Sequence, residues 1–166
     1  MLLPVTIEPN QILHKKGRDL TVAELATPEI KKLIKNMTET MYIKDGVGIA
    51  APQVGQSMQL CVIAKQYSPV NPNEDLVLVN PVWQKTSIRK AWDTEGCLSV
   101  PQIYGEVKRY FKIKVQALDK NGKPLQFEAS DFPARIVQHE VDHLNGILFI
   151  EKARNLHHVD TEAKGL

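Results

Sequence analysis

The sequence predicts an α+β fold in which antiparallel strands precede a helix that carries the chemistry. Three stretches support this. Phe111, Ile113, Val115 and Ala117 alternate with Lys112, Lys114 and Gln116, the period of a half-buried strand. Asn121-Gly122 then suits a tight hairpin turn, and Leu125, Phe127 and Ala129 alternate on the return. Residues 136–146, Ile-Val-Gln-His-Glu-Val-Asp-His-Leu-Asn-Gly, instead follow helical spacing.

Taken in order, residues 1–26 contain Pro4, Pro9 and Gly17 and read as extended arm and loop. Thr27 is a plausible N-cap, and Pro28 opens a helix whose Ile30, Leu33, Ile34, Met37 and Met41 share one face until Asp45-Gly46. Its methionines read as core filler. Gly46-Val-Gly-Ile-Ala-Ala-Pro-Gln53 follows. It lacks the third glycine of a dinucleotide loop, and Pro52 interrupts the helix such a loop needs. Its small residues allow close approach to the backbone, and Gln53 is the one polar side chain of an apolar run. Leu60 to Ile63 and Leu76 to Asn80 read as buried strands, separated by an exposed Pro/Asn-rich loop over residues 66–75. Cys61 fits there as a small core residue. Ile147 to Ile150 reads as a last short strand, and His157 and His158 as solvated tail residues.

Composition narrows the function classes. At 166 residues and 43% hydrophobic content, one domain over residues 1–166 can bury a real core. Net charge is +2 with the cations dispersed, so no dedicated nucleic-acid site is expected. No run approaches a membrane span and the N-terminus lacks a signal-peptide pattern, which leads to an expectation of a soluble, cytoplasmic protein. Two cysteines, Cys61 and Cys97, are too few for a disulfide framework.

His139 and His143 lie four apart, so one helical turn brings both imidazoles to one face. Two neutral histidines so placed can clamp a divalent metal, and Glu140 directly after the first can act as general base. Val137, Val141 and Leu144 form an apolar stripe, the histidines, Glu140 and Ile136 a second face, and Arg135, Gln138, Asp142 and Asn145 a polar third. Pro133 suits the first turn and Gly146 the stop. A catalytic site needs a third ligand. Position 149, where some metalloproteases place a third histidine, is Phe149, and the downstream acids are Glu151, Asp160 and Glu162. The ligand is therefore expected upstream. Cys97, in Glu95-Gly-Cys-Leu-Ser99 with polar neighbours, is preferred over His14, since one Cys with two His is a recognised zinc set.

Gly46-Val-Gly-Ile-Ala-Ala-Pro-Gln53, Glu95-Gly-Cys-Leu-Ser99 and Gln138-His-Glu-Val-Asp-His143 together resemble the three signature motifs of peptide deformylases, in the family's order. The resemblance spans nearly the whole chain. It implies antiparallel sheets around a central metal helix, and removal of the formyl group from the formyl-methionine of new peptides. It also implies Cys97, His139 and His143 as metal ligands, Glu140 as acid and base, and Gln53 with the Leu98 N–H as donors to the carbonyl oxygen. Gly48 would pair with the extended peptide, while Val47 and Ile136 would border the methionine pocket. Ferrous iron is the expected native ion, with zinc, nickel or cobalt also accepted. Tyr104 stands where many bacterial members have arginine. The tail from Lys152 to Leu166 lacks the long basic helix that some members use at the ribosome, so strong ribosome contact is not expected. Two other readings are a metalloprotease, resting on the His-Glu-x-x-His spacing alone, and a non-enzyme with a closed structural metal, for which Glu140 would be dispensable.

Overall fold

A computed structural model describes residues 1–160. Of the tail from Lys152 to Leu166, residues 161–166, Glu162 among them, lie outside the described residues. Among the described residues three α-helices, α1 (Val22–Leu25), α2 (Pro28–Ile43) and α3 (Asp131–Leu144), accompany eight strands. The first strands are β1 (Gly48–Ala50), β2 (Leu60–Ile63), β3 (Leu76–Lys85) and β4 (Lys90–Cys97). They are followed by β5 (Val100–Tyr110), β6 (Lys112–Leu118), β7 (Pro124–Ser130) and β8 (Arg154–His158). All pair antiparallel, in one sheet of order β1-β2-β3-β6-β7 and a second of order β4-β5-β8. The class is the α+β predicted.

The continuous apolar run of β2 has a structural reason. The pleat sends Leu60 and Val62 into a cluster under α2, with Met37, Met41, Ile49 and Val79. Cys61 and Ile63 point the other way, into a cluster under α3 with Leu78, Ile113, Val115, Val137 and Val141. The sheet is thus covered by a helix on each face, and every fully buried Leu or Ile in it contributes about 2 kcal/mol. A third cluster, with Leu13, Cys97, Val107, Leu148 and Phe149, lies against the smaller sheet.

Several local expectations are revised. The first 26 residues are not all extended, because Thr21 and Glu24 form a reciprocal capping box that starts α1. The hairpin between β6 and β7 turns through residues 119–123. The Asp119 side chain accepts from the N–H groups of Asn121 and Lys123, and of the Asn-Gly pair only Gly122 is left-handed. Ile147 to Ile150 is not a strand. The chain makes a 3-10 turn over Phe149–Glu151, in which the Glu151 carboxylate accepts from Leu148 N–H at 2.6 Å. The last strand is β8, which holds His157 and His158 at exposed positions beside β5. His157 stacks on Tyr104, with ring centroids 6.2 Å apart.

α3 departs most from expectation. Its polar third face is solvated only at Asn145, since Arg135, Gln138 and Asp142 are all buried. Gln138 accepts from Tyr110 N–H and donates to the Tyr110 carbonyl, which docks the helix on β5. The helix stops at Gly146, where φ is +76° and an added Cβ would lie 2.6 Å from the His14 carbonyl carbon. Among the described residues, no helix is long and apolar enough to cross a membrane.

Candidate active site

Two elements bring the chemistry together. α3 supplies His139 and His143 one turn apart, their rings edge to face with centroids separated by 4.9 Å. β4 ends at Cys97, where the pairing with β5 shifts register between Gly96 and Cys97 and the chain turns back through Leu98 and Ser99. Ligand atoms of Cys97, His139 and His143 all lie within 4.8 Å of one another, and all three residues are buried. Cys97 Sγ is 3.2 Å from His143 Nε2. His14, the other upstream candidate, is elsewhere, with its ring paired to Glu8 at 2.7 Å.

His139 Nε2, His143 Nδ1 and both carboxylate oxygens of Glu140 are buried and have no hydrogen-bond partner. Such atoms are costly in an apolar interior unless a ligand or ion satisfies them. The donor set fits a divalent cation: one thiol and two imidazoles, with an adjacent carboxyl left over for proton transfer. Electrostatics agree with that fit. Burial, with help from the charge on Arg109, holds the His143 imidazole well below its usual range, so it is neutral, the form that ligates. Burial pushes the Cys97 thiol up to about 12, against hydrogen bonds from the Ser99 and Val100 backbone, so a cation's charge is needed to make it a thiolate. Burial and the negative charge of Glu95 push the Glu140 carboxyl well above the carboxylate range.

The loop after β1 closes the site. Gln53 is fully buried. Its Oε1 accepts from Ala50 N–H at 2.9 Å, which leaves Nε2 to donate toward Cys97 Sγ at 3.5 Å and Ser99 Oγ at 3.3 Å. Gly48 packs directly on Glu140, where a Cβ would stand 2.8 Å from its Cδ. Of the expected pocket residues, Ile136 is fully buried one turn before His139, and Val47 is half-buried against the same cluster.

Beneath the histidines lies an ionic network that sequence reasoning missed. Glu95 Oε1 meets His139 Nδ1 at 2.8 Å and accepts from Arg109 Nη2 at 2.8 Å. Its Oε2 accepts from Arg109 Nε at 2.9 Å and Arg135 Nη1 at 2.6 Å. Arg109 also reaches Asp142, which is paired at the surface with Lys152. Burial alone would raise the Glu95 carboxyl, but His139 and Arg109 together hold it well below the usual range. One signal was available for Arg135: it precedes His139 by four residues, one helical turn, so an ionic role beside that histidine was legible in the spacing.

Comparison with known proteins points the same way. The sequence model of the family described as Polypeptide deformylase matches residues 2–159. A peptide deformylase of Symbiobacterium thermophilum is 41% identical over 169 residues, an alignment covering 98% of this chain and 72% of the relative. The actinonin-bound crystal structure of the class I type b peptide deformylase from Acinetobacter baumannii superposes with a TM-score of 0.84 at 39% identity, covering 93% of this chain and 99% of that one. The same enzyme bound to Met-Ala-Ser gives a TM-score of 0.84 at 40% identity, over 92% and 98% of the two chains.

Proposed function

The chain belongs to the peptide deformylase family, and from that premise we propose how its own residues divide the work. The reaction is removal of the formyl group from the N-terminal formyl-methionine of newly made peptides, with release of formate. In the proposed arrangement Cys97, His139 and His143 would hold one divalent cation. Ferrous iron is the proposed native ion, and zinc, nickel and cobalt would also suit one thiolate and two imidazoles. When bound, such an ion supplies Lewis acidity and lowers the pKa of a water toward neutrality. The carrying observation is the pair of buried, unpartnered Glu140 carboxylate oxygens beside the three clustered ligand atoms.

Glu140 takes a proton at one of those oxygens as water adds to the formyl carbon, then returns it to the departing amine. Burial raises the affinity of its carboxyl for that proton, and the charge of a bound cation would oppose this and keep the group ionised before the first step. Gln53 Nε2 and the Leu98 N–H donate to the oxygen that gains charge, a role worth about 3 kcal/mol for one such donor in other enzymes. Gln53 is preset for it, because its carbonyl is fixed by Ala50. The backbone of Gly48 would pair with the extended peptide, and Val47 and Ile136 would border the methionine side chain. The whole of residues 1–166 is proposed as one catalytic domain, acting in the cytoplasm on nascent peptides, with no dedicated nucleic-acid site.

The test is a comparison of substrates. Incubated with a formyl-Met tripeptide, an acetyl-Met tripeptide and a blocked peptide with internal bonds only, the metal-loaded protein is expected to release formate from the first and leave the others intact. Cleavage of internal bonds at a comparable rate would favour a metalloprotease instead.

A further inference from the structure

The buried polar face of α3 ties the two halves of the metal centre together, and Arg135 makes more of these contacts to β4 than any other side chain of that face. Arg135 Nη1 donates to Glu95 Oε2 at 2.6 Å and to the Val107 carbonyl at 2.8 Å, while Nη2 donates to the Ala91 carbonyl at 2.8 Å. A single helical side chain thus grips β4 twice and β5 once. Glu95, the next link, meets His139 Nδ1 at 2.8 Å.

We propose that Arg135 is a positioning residue of the metal centre: it fixes the Glu95 carboxylate that orients His139, and it sets the distance between the helix bearing both histidines and the strand ending in Cys97. The inference rests on the proposed ligand set. Arg109 shares the hold on Glu95, with two bonds from β5, and reaches α3 through Asp142; Arg135 differs in lying on the histidine helix itself and in gripping the backbone of both strands. Lysine cannot substitute for it. Its single ammonium lacks the planar fork that serves Glu95, Val107 and Ala91 at once. Removing a partner that orients a ligating histidine weakens metal binding by about 10- to 100-fold elsewhere.

A cavity of about 320 Å³ adjoins the guanidinium, lined by Ala91, Trp92, Arg109 and Arg135 among others. It offers a small cation a route to the space that Arg135→Ala would open.

The experiment is cobalt binding to the full chain by chelator competition, with the visible spectrum of the cobalt form recorded alongside. Wild type, Arg135→Ala, Arg135→Lys and, as a control for the site itself, His143→Ala are compared. Arg135→Ala is expected to bind cobalt about 10-fold more weakly, the lower end of that range because Arg135 acts through Glu95, with a shifted spectrum, and ethylguanidinium is expected to restore both in that variant alone. Wild-type affinity and spectrum in Arg135→Ala would overturn the proposal and leave the ligand set standing. Failure of the wild type to bind cobalt, or unchanged binding in His143→Ala, would overturn the ligand set and the proposal with it. If Arg135→Ala does not fold, Arg135→Lys carries the comparison, with weaker binding and a shifted spectrum expected and wild-type values overturning the proposal.

Discussion

Gly48 lies against the side chain of Glu140, so the smallest possible substitution there acts on the proton-transfer group. Gly48→Ala must push the carboxylate aside, since the new methyl would stand 2.8 Å from Cδ. Displacements on the order of 1 Å cost about 100-fold in well-aligned sites. Gly48→Ala is therefore expected to lower kcat by about that factor while leaving the melting temperature within a few degrees, measured by formate release and thermal unfolding. Equal kcat would mean that Glu140 has room to spare. At this scale the sequence was informative about identity and silent about partners. His139, Glu140, His143 and Cys97 are polar groups whose types announce metal chemistry. Arg109 and Asp142 announce nothing by type, because whether they face solvent or each other depends on two sheets and a helix coming together.

At the scale of elements, periodicity served where one face of an element is wet and failed where it is not. The alternation of β6 is visible because Lys112, Lys114 and Gln116 face outward while Ile113 and Val115 are buried. The helix α2 was legible for the same reason, down to Thr27, whose hydroxyl accepts from Ile30 N–H. α3 was only partly legible, since a helix buried on every side has no solvent face for its polar residues to mark. α1 was missed because four residues are too few for a period, although the Thr21/Glu24 capping box was there to be read.

That capping box gives a pH prediction. Arg18, then the N–H and hydroxyl of Thr21, hold the Glu24 carboxyl at about 2. An unfolded glutamate titrates near 4.3, about the usual value. The native value is the lower one, so the contribution of Glu24 to stability is complete above roughly pH 5 and is lost progressively as pH falls toward 2. NMR titration should find a midpoint well below that of free glutamate, and Arg18→Ala should raise it. An unshifted midpoint would show that solvent and salt screen the pair entirely.

At the scale of the whole molecule, the proposed metal would join α3 to the end of β4 and so cross-link the two sheets. A ligand that binds only the folded state adds about 2.7 kcal/mol at a hundredfold excess over its Kd. For a chain of this size that corresponds to roughly 5–10 °C in Tm. Chelation is expected to lower Tm by that amount, and re-addition of metal to restore it. A Tm indifferent to tightly bound metal would mean that the unfolded chain binds the ion as well as the folded one, and would contradict a site assembled only by the fold. The overall architecture could be anticipated because three motifs far apart in sequence, at Gly46–Gln53, Glu95–Ser99 and Gln138–His143, have a shared meaning only when folded onto one centre. The placement of β8 could not, because its residues are exposed throughout and its pairing with β5 is fixed by backbone hydrogen bonds rather than by a buried face.

The most direct measurement is formate release from a formyl-Met tripeptide by wild type and Glu140→Gln, purified without oxygen, loaded in parallel with ferrous iron or zinc, and assayed for bound metal. The account predicts full metal occupancy in both proteins and release about 10²- to 10⁴-fold slower in the variant, the usual contribution of a general base. Release at the wild-type rate from metal-loaded Glu140→Gln would contradict it.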